Sequence, residues 1–252
     1  MNLQLIRNAT LIIDYAGTRF LIDPMLAPKG TYPPFTPSKR DDIQNPIVDL
    51  PESIDAILEG IDAVILTHLH LDHFDDTAKE VLPKSINLYV QNEADAGEVR
   101  KAGFTNVHVL NNEQFNGIHL IKTKGKHGRG EILKRTGTVS GIVFKHENEN
   151  TLYVAGDTVW NEEVEEEIHT HHLDIIVVNA GDNQFLEGGS IVMGKEDVLQ
   201  TANAAPEATI ISTHMEAVNH GTLSREELKN TAAEKGLQSR ILVPEDGESY
   251  TF

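Results

Sequence analysis

The sequence ILTHLHLDHFDD at residues 65–76 decides the fold and the chemistry of this 252-residue chain. Its apolar beginning continues the run IDAVILT, which predicts a buried strand. His68 and His70 are two positions apart, so in extended backbone both side chains lie on the same side and can bind one metal ion. Asp72 and His73 follow where the chain turns toward the next helix, and they can reach a second ion.

A strand end that is merely rich in histidine is the alternative interpretation. Histidine is frequent in this chain, with 12 residues, and acids such as Asp75 and Asp76 are typical of helix starts. The position at the carboxyl end of a predicted buried strand favours the metal site, because sites form at such ends in sheet proteins. The stretch cannot complete a metal site alone, so further ligands must come from later in the chain.

Composition limits the partners and the kind of metal site. The formal net charge of −18 argues against nucleic acid or an anionic membrane as a partner, since both require clustered Lys and Arg. The chain has no cysteine, so any metal ion must be bound by His, Asp and Glu. The sequence begins without a signal-peptide pattern and has no apolar run long enough to cross a membrane. We therefore expect a cytoplasmic protein that acts on a small molecule, either as a monomer or as a homo-oligomer.

The order of the predicted elements indicates an α+β protein. Antiparallel strands at the start are followed by helix–strand units, a hairpin and further helix–strand units, which predicts two mixed β-sheets packed together with helices outside. No linker interrupts the pattern, so residues 1–252 are interpreted as a single domain. Residues 24–51 contain seven of the ten prolines. We interpret this Pro-rich segment as a cover over a site, with Tyr32 and Phe35 packing onto a ligand; a loop wrapped on the surface is the alternative.

The motif THLHLDH resembles the H-x-H-x-D-H signature of the metallo-β-lactamase-fold hydrolase superfamily. Later motifs match the family in the same order: FLIDP with Asp23, GKHG with His127, YVAGDT with Asp157 and ISTHMEAVNH with His214. The resemblance implies a four-layer αββα sandwich. It looks closest to the branch of sugar-phosphate lactonases and phosphodiesterase-like enzymes.

The resemblance also implies a centre of two divalent metal ions, with zinc as the first candidate and Mn, Fe or Ni as alternatives. His68, His70 and His127 would bind the first ion. Asp72, His73 and His214 would bind the second ion, and Asp157 would bridge the two.

We therefore expect a dinuclear metal-dependent hydrolase that uses a metal-bridging hydroxide to cleave a small ester, lactone or phosphoester. Asp72 would orient the nucleophile while it binds metal, and His220 or Glu216 would donate a proton to the leaving group unless both lie in a solvated loop. Asp23 is the first candidate for a carboxylate that supports a metal-bound imidazole.

Several further residues are candidates for the pocket. Asn179 and Asp182 in the Gly-rich segment 179–194 are interpreted as substrate contacts. Lys124, Lys126 and Arg129 flank His127 and would attract an anionic substrate, unless they are ordinary solvated residues.

Two other functions are compatible with the same motif. A di-iron oxidoreductase on this fold would need Glu where His70 stands and usually an added flavin domain. A non-catalytic metal-binding protein would not need the complete set of ligands.

Overall fold

The computed structural model describes residues 1–252 and contains two seven-stranded β-sheets. The first sheet has strands β1 (Asn2–Arg7), β2 (Thr10–Tyr15), β3 (Thr18–Ile22), β4 (Ala63–Ile65), β5 (Asn87–Val90), β6 (Val107–Val109) and β14 (Ser249–Thr251). The second has β7 (Asn112–Phe115), β8 (Ile118–Lys122), β9 (Ile142–Lys145), β10 (Leu152–Val154), β11 (Ile175–Asn179), β12 (Thr209–Thr213) and β13 (Ile241–Leu242).

The helices lie in the connections between these strands. They are α1 (Ile54–Leu58), α2 (Asp76–Val81), α3 (Glu93–Lys101), α4 (Leu133–Thr136), α5 (Glu162–His171), α6 (Lys195–Ala204) and α7 (Arg225–Glu234), with a 3₁₀ turn at Gly130–Ile132 before α4. None of them combines the length and the apolar character that a bilayer-crossing helix needs.

Both sheets are mixed. In the first sheet β14, β1, β2 and β3 pair antiparallel, and β3 to β6 pair parallel. In the second sheet β7 to β10 pair antiparallel, and β10 to β13 pair parallel. The parallel pairs are the ones joined through helices, as a parallel connection requires.

Three apolar clusters separate four layers. One cluster lies between the two sheets and includes Phe20, Phe144 and Ile211. A second packs α1 to α3 on the outer face of the first sheet, and a third packs α5 to α7 on the outer face of the second. The predicted αββα sandwich is therefore confirmed.

The helix starts also follow the sequence. The side chains of Asp75, Asn92 and Ser224 each accept a hydrogen bond from a backbone N–H in the first turn of α2, α3 and α7, which is the contact that defines an N-cap. Asp75 additionally accepts from the N–H of Ala27 at 2.7 Å, so it joins the Pro-rich segment to α2.

Two edge strands and one short helix are not marked by the sequence. Strand β7 reads NEQF and is mostly exposed, and β14 reads SYT. Neither has the apolar alternation that marks a strand in sequence, because each depends on backbone pairing with a single neighbour. The short helix α4 lies in the loop after His127.

The Pro-rich segment is fastened to the loop after β12 by one buried amide, that of Asn219. Its Oδ1 accepts from the N–H of Phe35 and from Asn45 Nδ2, both at 2.9 Å. Its Nδ2 donates to Ser38 Oγ at 2.8 Å and to the carbonyls of Phe35 and Arg40. The guanidinium of Arg40 returns hydrogen bonds to three backbone carbonyls in residues 218–221. Phe35 is thereby held at a fixed place above the second sheet.

We predict that Asn219→Ala lowers the free energy of unfolding by about 2–4 kcal/mol, because several buried partners lose their hydrogen bonds at once. Urea denaturation of both proteins measures the change. The matched control is Asn230→Ala on the exposed face of α7, which should change stability by no more than about 0.5 kcal/mol. Equal losses in the two variants would contradict this account of the tether.

Candidate metal centre

The predicted ligands follow strands whose carboxyl ends meet at one edge of the sandwich. His68, His70, Asp72 and His73 follow β4 in the first sheet, whereas the others follow β8, β10 and β12 in the second. Pairing directions make β8, β10 and β12 run the same way, so their ends lie at the same edge. Parallel topology therefore collects side chains that are far apart in sequence.

The structure brings all of the predicted ligands together in three overlapping groups. Within each group, the potential ligand atoms lie within 4.8 Å of one another. The groups are His68, His70 and His127; His68, His73 and Asp157; and Asp72, His73 and His214. The first and third groups have the composition that the family resemblance implies for two separate ions.

The carboxylate of Asp157 lies at the centre. Its Oδ2 is 3.2 Å from His73 Nε2, 3.5 Å from His127 Nε2 and 3.8 Å from His68 Nε2. Its Oδ1 is 3.7 Å from His214 Nε2. The two oxygens thus face different histidines, which is the arrangement that a bridging carboxylate needs. Gly156, at φ +68°, makes the sharp turn into Asp157, and a Cβ there would lie 2.6 Å from the carbonyl of Ser140.

The imidazoles are oriented by acceptors on their Nδ1 side. His73 Nδ1 is 2.8 Å from Asp23 Oδ2, His127 Nδ1 is 2.7 Å from the carbonyl of Ile191, and His68 Nδ1 is 3.1 Å from Thr67 Oγ1. An acceptor at Nδ1 fixes the proton there and leaves the Nε2 lone pair for a metal ion.

Thr67 and Asn179 donate hydrogen bonds to the carboxylates of Asp23 and Asp157, respectively. Asp23 accepts from the N–H and Oγ1–H of Thr67 as well as from His73, so the expected supporting role of Asp23 agrees with its contacts. Asn179 donates to Asp157 Oδ1 at 2.6 Å and accepts from Thr213. Asp23 and His214 both have positive φ, 44° and 59°, a costly backbone conformation that is concentrated at functional sites.

The donor atoms fit divalent metal ions. His68 Nε2 is buried without any partner, and the Nε2 atoms of His73 and His214 are only 3.2 Å apart. Lone pairs that converge on carboxylate oxygens repel one another unless protons or cations lie between them. The set of nitrogen and oxygen ligands suits Zn, Mn, Fe or Ni.

Protonation follows the same electrostatics. Burial lowers the pKa of His68 well below its ordinary value. Burial would also lower the pKa of His73, but the carboxylates of Asp157 and Asp23 outweigh it and raise that pKa. Burial would raise the pKa of Asp157, but the neighbouring imidazoles hold it well below its ordinary value. Metal binding must displace protons from such a site, so the affinity falls as the pH decreases.

A cavity of about 190 Å³ opens onto this centre. Its metal-side wall contains His70, Asp72, His127 and Asp157, and the remaining wall is formed by Phe35, Leu71, Arg135, Thr136, Phe185, Ile191 and His220. The Pro-rich segment contributes Phe35, which agrees with its interpretation as a cover. Tyr32 instead accepts a hydrogen bond from the N–H of Asp76 at the start of α2.

His220 and Glu216, the two proposed proton donors, have opposite environments. His220 is buried on the cavity wall, with its ring 5.0 Å from Phe35 and stacked 5.5 Å from Phe185. Burial lowers the pKa of His220 to about 4, so the ring is neutral at neutral pH. Glu216 is exposed and pairs with Arg225 at 3.1 Å, which removes it from the cavity.

The three basic residues that flank His127 do not line the cavity. Lys126 forms an ion pair with Glu162, and Arg129 pairs with Asp197 at 2.9 Å; neither lines the cavity. Lys124 lies in a separate polar cavity.

Asn179 and Asp182 do not line the cavity as substrate contacts either. Asn179 is bonded to Asp157, and Asp182 accepts from Gln184, Ser190 and Thr222, contacts that shape the Gly-rich segment. The side chains that take their place are Phe185, which lies in that segment, and Arg135, whose guanidinium lies 4.9 Å from the Phe185 ring centre. No local signal marked Arg135, because α4 was not predicted.

Comparison with known proteins matches the beta-lactamase superfamily domain to residues 18–215 of this chain. The UPF0173 protein YddR of Bacillus subtilis (strain 168) is 65% identical over the full length of both chains. The resemblance seen in the motifs is therefore confirmed at the level of the superfamily. Support for the lactonase and phosphodiesterase branch is only loose.

Two solved structures are similar over nearly their whole length. An isothiocyanate hydrolase from Delia radicum gut bacteria is 42% identical, with a TM-score of 0.96 and coverage of 100% of this chain and 99% of the other. A possible metal-dependent hydrolase from Veillonella parvula is 40% identical, with a TM-score of 0.98 and the same coverage. At 42% and 40% identity, the two proteins resemble this chain in sequence as well as in fold.

We predict that the purified protein contains about two divalent ions per chain, as a dinuclear centre requires. Replacing His68 and Asp157 together by Ala should abolish this content, because the double variant loses a ligand of the first group and the carboxylate that lies near His127 of the first group and His214 of the third. Elemental analysis by mass spectrometry measures the content, and circular dichroism checks the fold. The matched control is His119→Ala, an exposed histidine on β8, which should keep the full content. Metal content that survives the double substitution would refute the site.

Proposed function

This chain belongs to the beta-lactamase superfamily and to its UPF0173 family, and on that premise we propose that it hydrolyses a small molecule at a centre of two divalent metal ions. It is a metal-dependent hydrolase, the description that several UPF0173 relatives carry. The observation that supports a dinuclear centre is the position of Asp157, whose two carboxylate oxygens face different histidines. His70 completes a group of three histidines, and the di-iron oxidoreductase alternative would need Glu there.

The residues of the chain have distinct tasks in this proposal. Divalent ions held by these histidines and carboxylates would supply Lewis-acid activation of a water molecule, so that hydroxide would be available at neutral pH. Asp157 and Asp72 hold the ligand set together with negative charge, and Asp72 also faces the cavity, where it orients the attacking oxygen. Asp23, Thr67 and the carbonyl of Ile191 keep the imidazoles in the tautomer that leaves Nε2 free.

The cavity favours an uncharged substrate with an apolar substituent. Its outer wall has Phe35, Leu71, Phe185 and Ile191, and its one cationic side chain, Arg135, is exposed and lies over an aromatic ring. Away from the metal ions, the cavity wall offers a phosphoester only Arg135 as a cationic partner, whereas four apolar side chains can contact an uncharged substituent. Among the classes expected from the sequence, small esters and lactones fit these walls better than phosphoesters.

The structural neighbour from Delia radicum gut bacteria adds a further class, because it is an isothiocyanate hydrolase. An isothiocyanate, R–N=C=S, is uncharged and has an electrophilic carbon between the sulfur and the nitrogen that carries its one substituent. Attack by water on that carbon and transfer of its protons to nitrogen give the amine and carbonyl sulfide, R–NCS + H₂O → R–NH₂ + COS. We propose isothiocyanates with a small apolar substituent as the first substrate class for this chain.

His220 is the residue placed to exchange protons with the reacting group. It lies on the wall of the same cavity as Asp72 and Asp157 and is neutral at neutral pH. A neutral imidazole can accept a proton from the attacking water and return it to the leaving group. His220 therefore stays our proposed acid–base residue.

A hydrolase panel tests the substrate class. The metal-loaded protein should release amine from benzyl isothiocyanate with a higher kcat/KM than it shows for phenyl acetate, a γ-lactone, p-nitrophenyl phosphate or bis-p-nitrophenyl phosphate. Protein with the His68→Ala and Asp157→Ala substitutions is the inactive control. Faster cleavage of either phosphoester would contradict the assignment, because the apolar outer wall is expected to favour an uncharged substrate.

We predict that Phe35→Ala raises KM for benzyl isothiocyanate by about tenfold or more, since loss of roughly 1.5–3 kcal/mol of apolar contact has that effect on binding. Methyl isothiocyanate, which has little apolar surface to lose, should be affected much less. The matched control is Leu186→Ala, an exposed residue of the Gly-rich segment that does not line the cavity. A KM unchanged for both substrates would show that Phe35 does not contact the substituent.

We predict that His220→Gln lowers kcat by about 10²–10⁴-fold while KM and metal content stay close to wild type, because a proton-transfer residue acts mainly in the transition state. Steady-state kinetics and elemental analysis of the same preparation measure both effects. A kcat close to that of the wild type would rule out the role, and a loss of bound metal would show that His220 supports the centre instead.

A further inference from the structure

The side chain of Asn183 lies between the metal centre and the cavity wall. It is fully buried, and its Nδ2 is 3.3 Å from His214 Nδ1 and 3.2 Å from His220 Nε2. Its Oδ1 is buried and has no hydrogen-bond partner. One amide group thus contacts both a predicted metal ligand and the proposed acid–base residue.

Metal binding constrains His214. Its Nε2 faces the centre, 3.2 Å from Asp72 Oδ2 and 3.7 Å from Asp157 Oδ1. If Nε2 binds a metal ion, the ring proton must be on Nδ1, and Nδ1–H needs an acceptor. Asn183 is the only side chain in contact with that nitrogen, and an amide N–H₂ cannot accept.

We infer that Asn183 is a positioning residue that presents its Oδ1 to both His214 and His220 when the metal ions are bound. This inference rests on the proposed function, because it requires His214 to be a ligand. Turning the amide about its last side-chain bond exchanges an oxygen and a nitrogen of similar size, so the ring positions need not change. The turn also gives the unpaired Oδ1 two donors, and an unpaired buried acceptor costs about 1–3 kcal/mol.

The same turn fixes the tautomer of His220. Oδ1 of Asn183 accepts the proton of His220 Nε2, so Nδ1 of His220 keeps a free lone pair. His220 Nδ1 is buried without a partner, and the ring is held between Phe35 and Phe185 on the cavity wall. Asn183 thereby joins His220 to the metal ligand His214 through a single group.

The backbone around Asn183 is built for this contact. A Cβ on Gly181 would lie 2.2 Å from the carbonyl oxygen of His214 and 2.3 Å from Asn183 Oδ1, so only glycine permits the approach. The carbonyl of Asn183 accepts from the N–H of Ile191, whose own carbonyl accepts from His127 Nδ1. Asn183 therefore contacts His214 through its side chain and is linked to His127 through the backbone of Ile191.

Two substitutions of Asn183 test whether its side chain acts as a hydrogen-bond acceptor toward the histidines. Asn183→Asp keeps the size and offers only acceptors, whereas Asn183→Leu offers neither. Zinc affinity by chelator competition should stay within about tenfold of wild type in Asn183→Asp and fall by about 10–100-fold in Asn183→Leu, the usual effect of losing a group that supports a ligand. Asn230→Asp on exposed α7 is the control for the added negative charge.

The tautomer of His220 gives a second measurement that does not depend on activity. In the zinc-loaded wild type, ¹H–¹⁵N spectra that correlate the ring protons with both nitrogens should show the proton on Nε2, and His220→Gln assigns the signals. This measurement decides the question even if Asn183→Leu does not fold.

Equal losses of zinc affinity in Asn183→Asp and Asn183→Leu would overturn the inference, as would a proton on His220 Nδ1. Either result can occur in a protein that binds two zinc ions per chain, and the proposed function would then stand. A wild-type chain that binds no zinc would overturn the proposed function and this inference together.

Discussion

The buried carboxylate of Asp157 is the constraint on which the rest of the structure depends. Four imidazoles surround its two oxygens at 3.2–3.8 Å, in a region with almost no access to water. Such a cluster is costly unless cations or protons balance the charge and the ring nitrogens on the far side find acceptors. Asp23, Thr67 and the carbonyl of Ile191 satisfy that second requirement, and Asn179 holds the carboxylate itself. The polar groups of several loops are therefore arranged around one side chain.

The packing of the two sheets explains why these polar side chains gather at one edge of the molecule. Each sheet is closed by helices on its outer face and by the other sheet on its inner face, so the edge where the parallel strands end is where polar side chains can gather. Ligands from β4 meet ligands from β8, β10 and β12 across that edge, and the hydrogen bond from the N–H of Ser140 to the carbonyl of Thr67 joins the two sheets beside them. The strongly acidic character of the chain does not decide the field in the cavity, because bound cations would reverse it locally.

The cavity wall is assembled from segments with no regular structure. Phe35 is placed by the amide of Asn219, and Phe185 by the Gly-rich segment, in which Asp182 accepts several hydrogen bonds. Loops can carry specificity in this way because they are fastened at buried polar residues. The result is an apolar outer wall facing a charged inner wall, which suits an uncharged electrophile with one apolar substituent.

The sequence by itself determined the candidate ligands, the sandwich and the start of α2, because these depend on local spacing: histidines two positions apart just after a buried strand, a capping residue before a helix, an apolar run before a motif. The sequence predicted the side chains of the cavity wall less well than the metal ligands. Lys126 and Arg129 flank His127 in sequence, but their partners Glu162 and Asp197 lie on α5 and α6, which turn both side chains away from the cavity. Strands β7 and β14 exist through backbone pairing that side chains do not encode. The tertiary structure alone decided which acceptor orients each imidazole, and that Asn183 meets both His214 and His220, because these contacts join residues that only the packing of two sheets brings together.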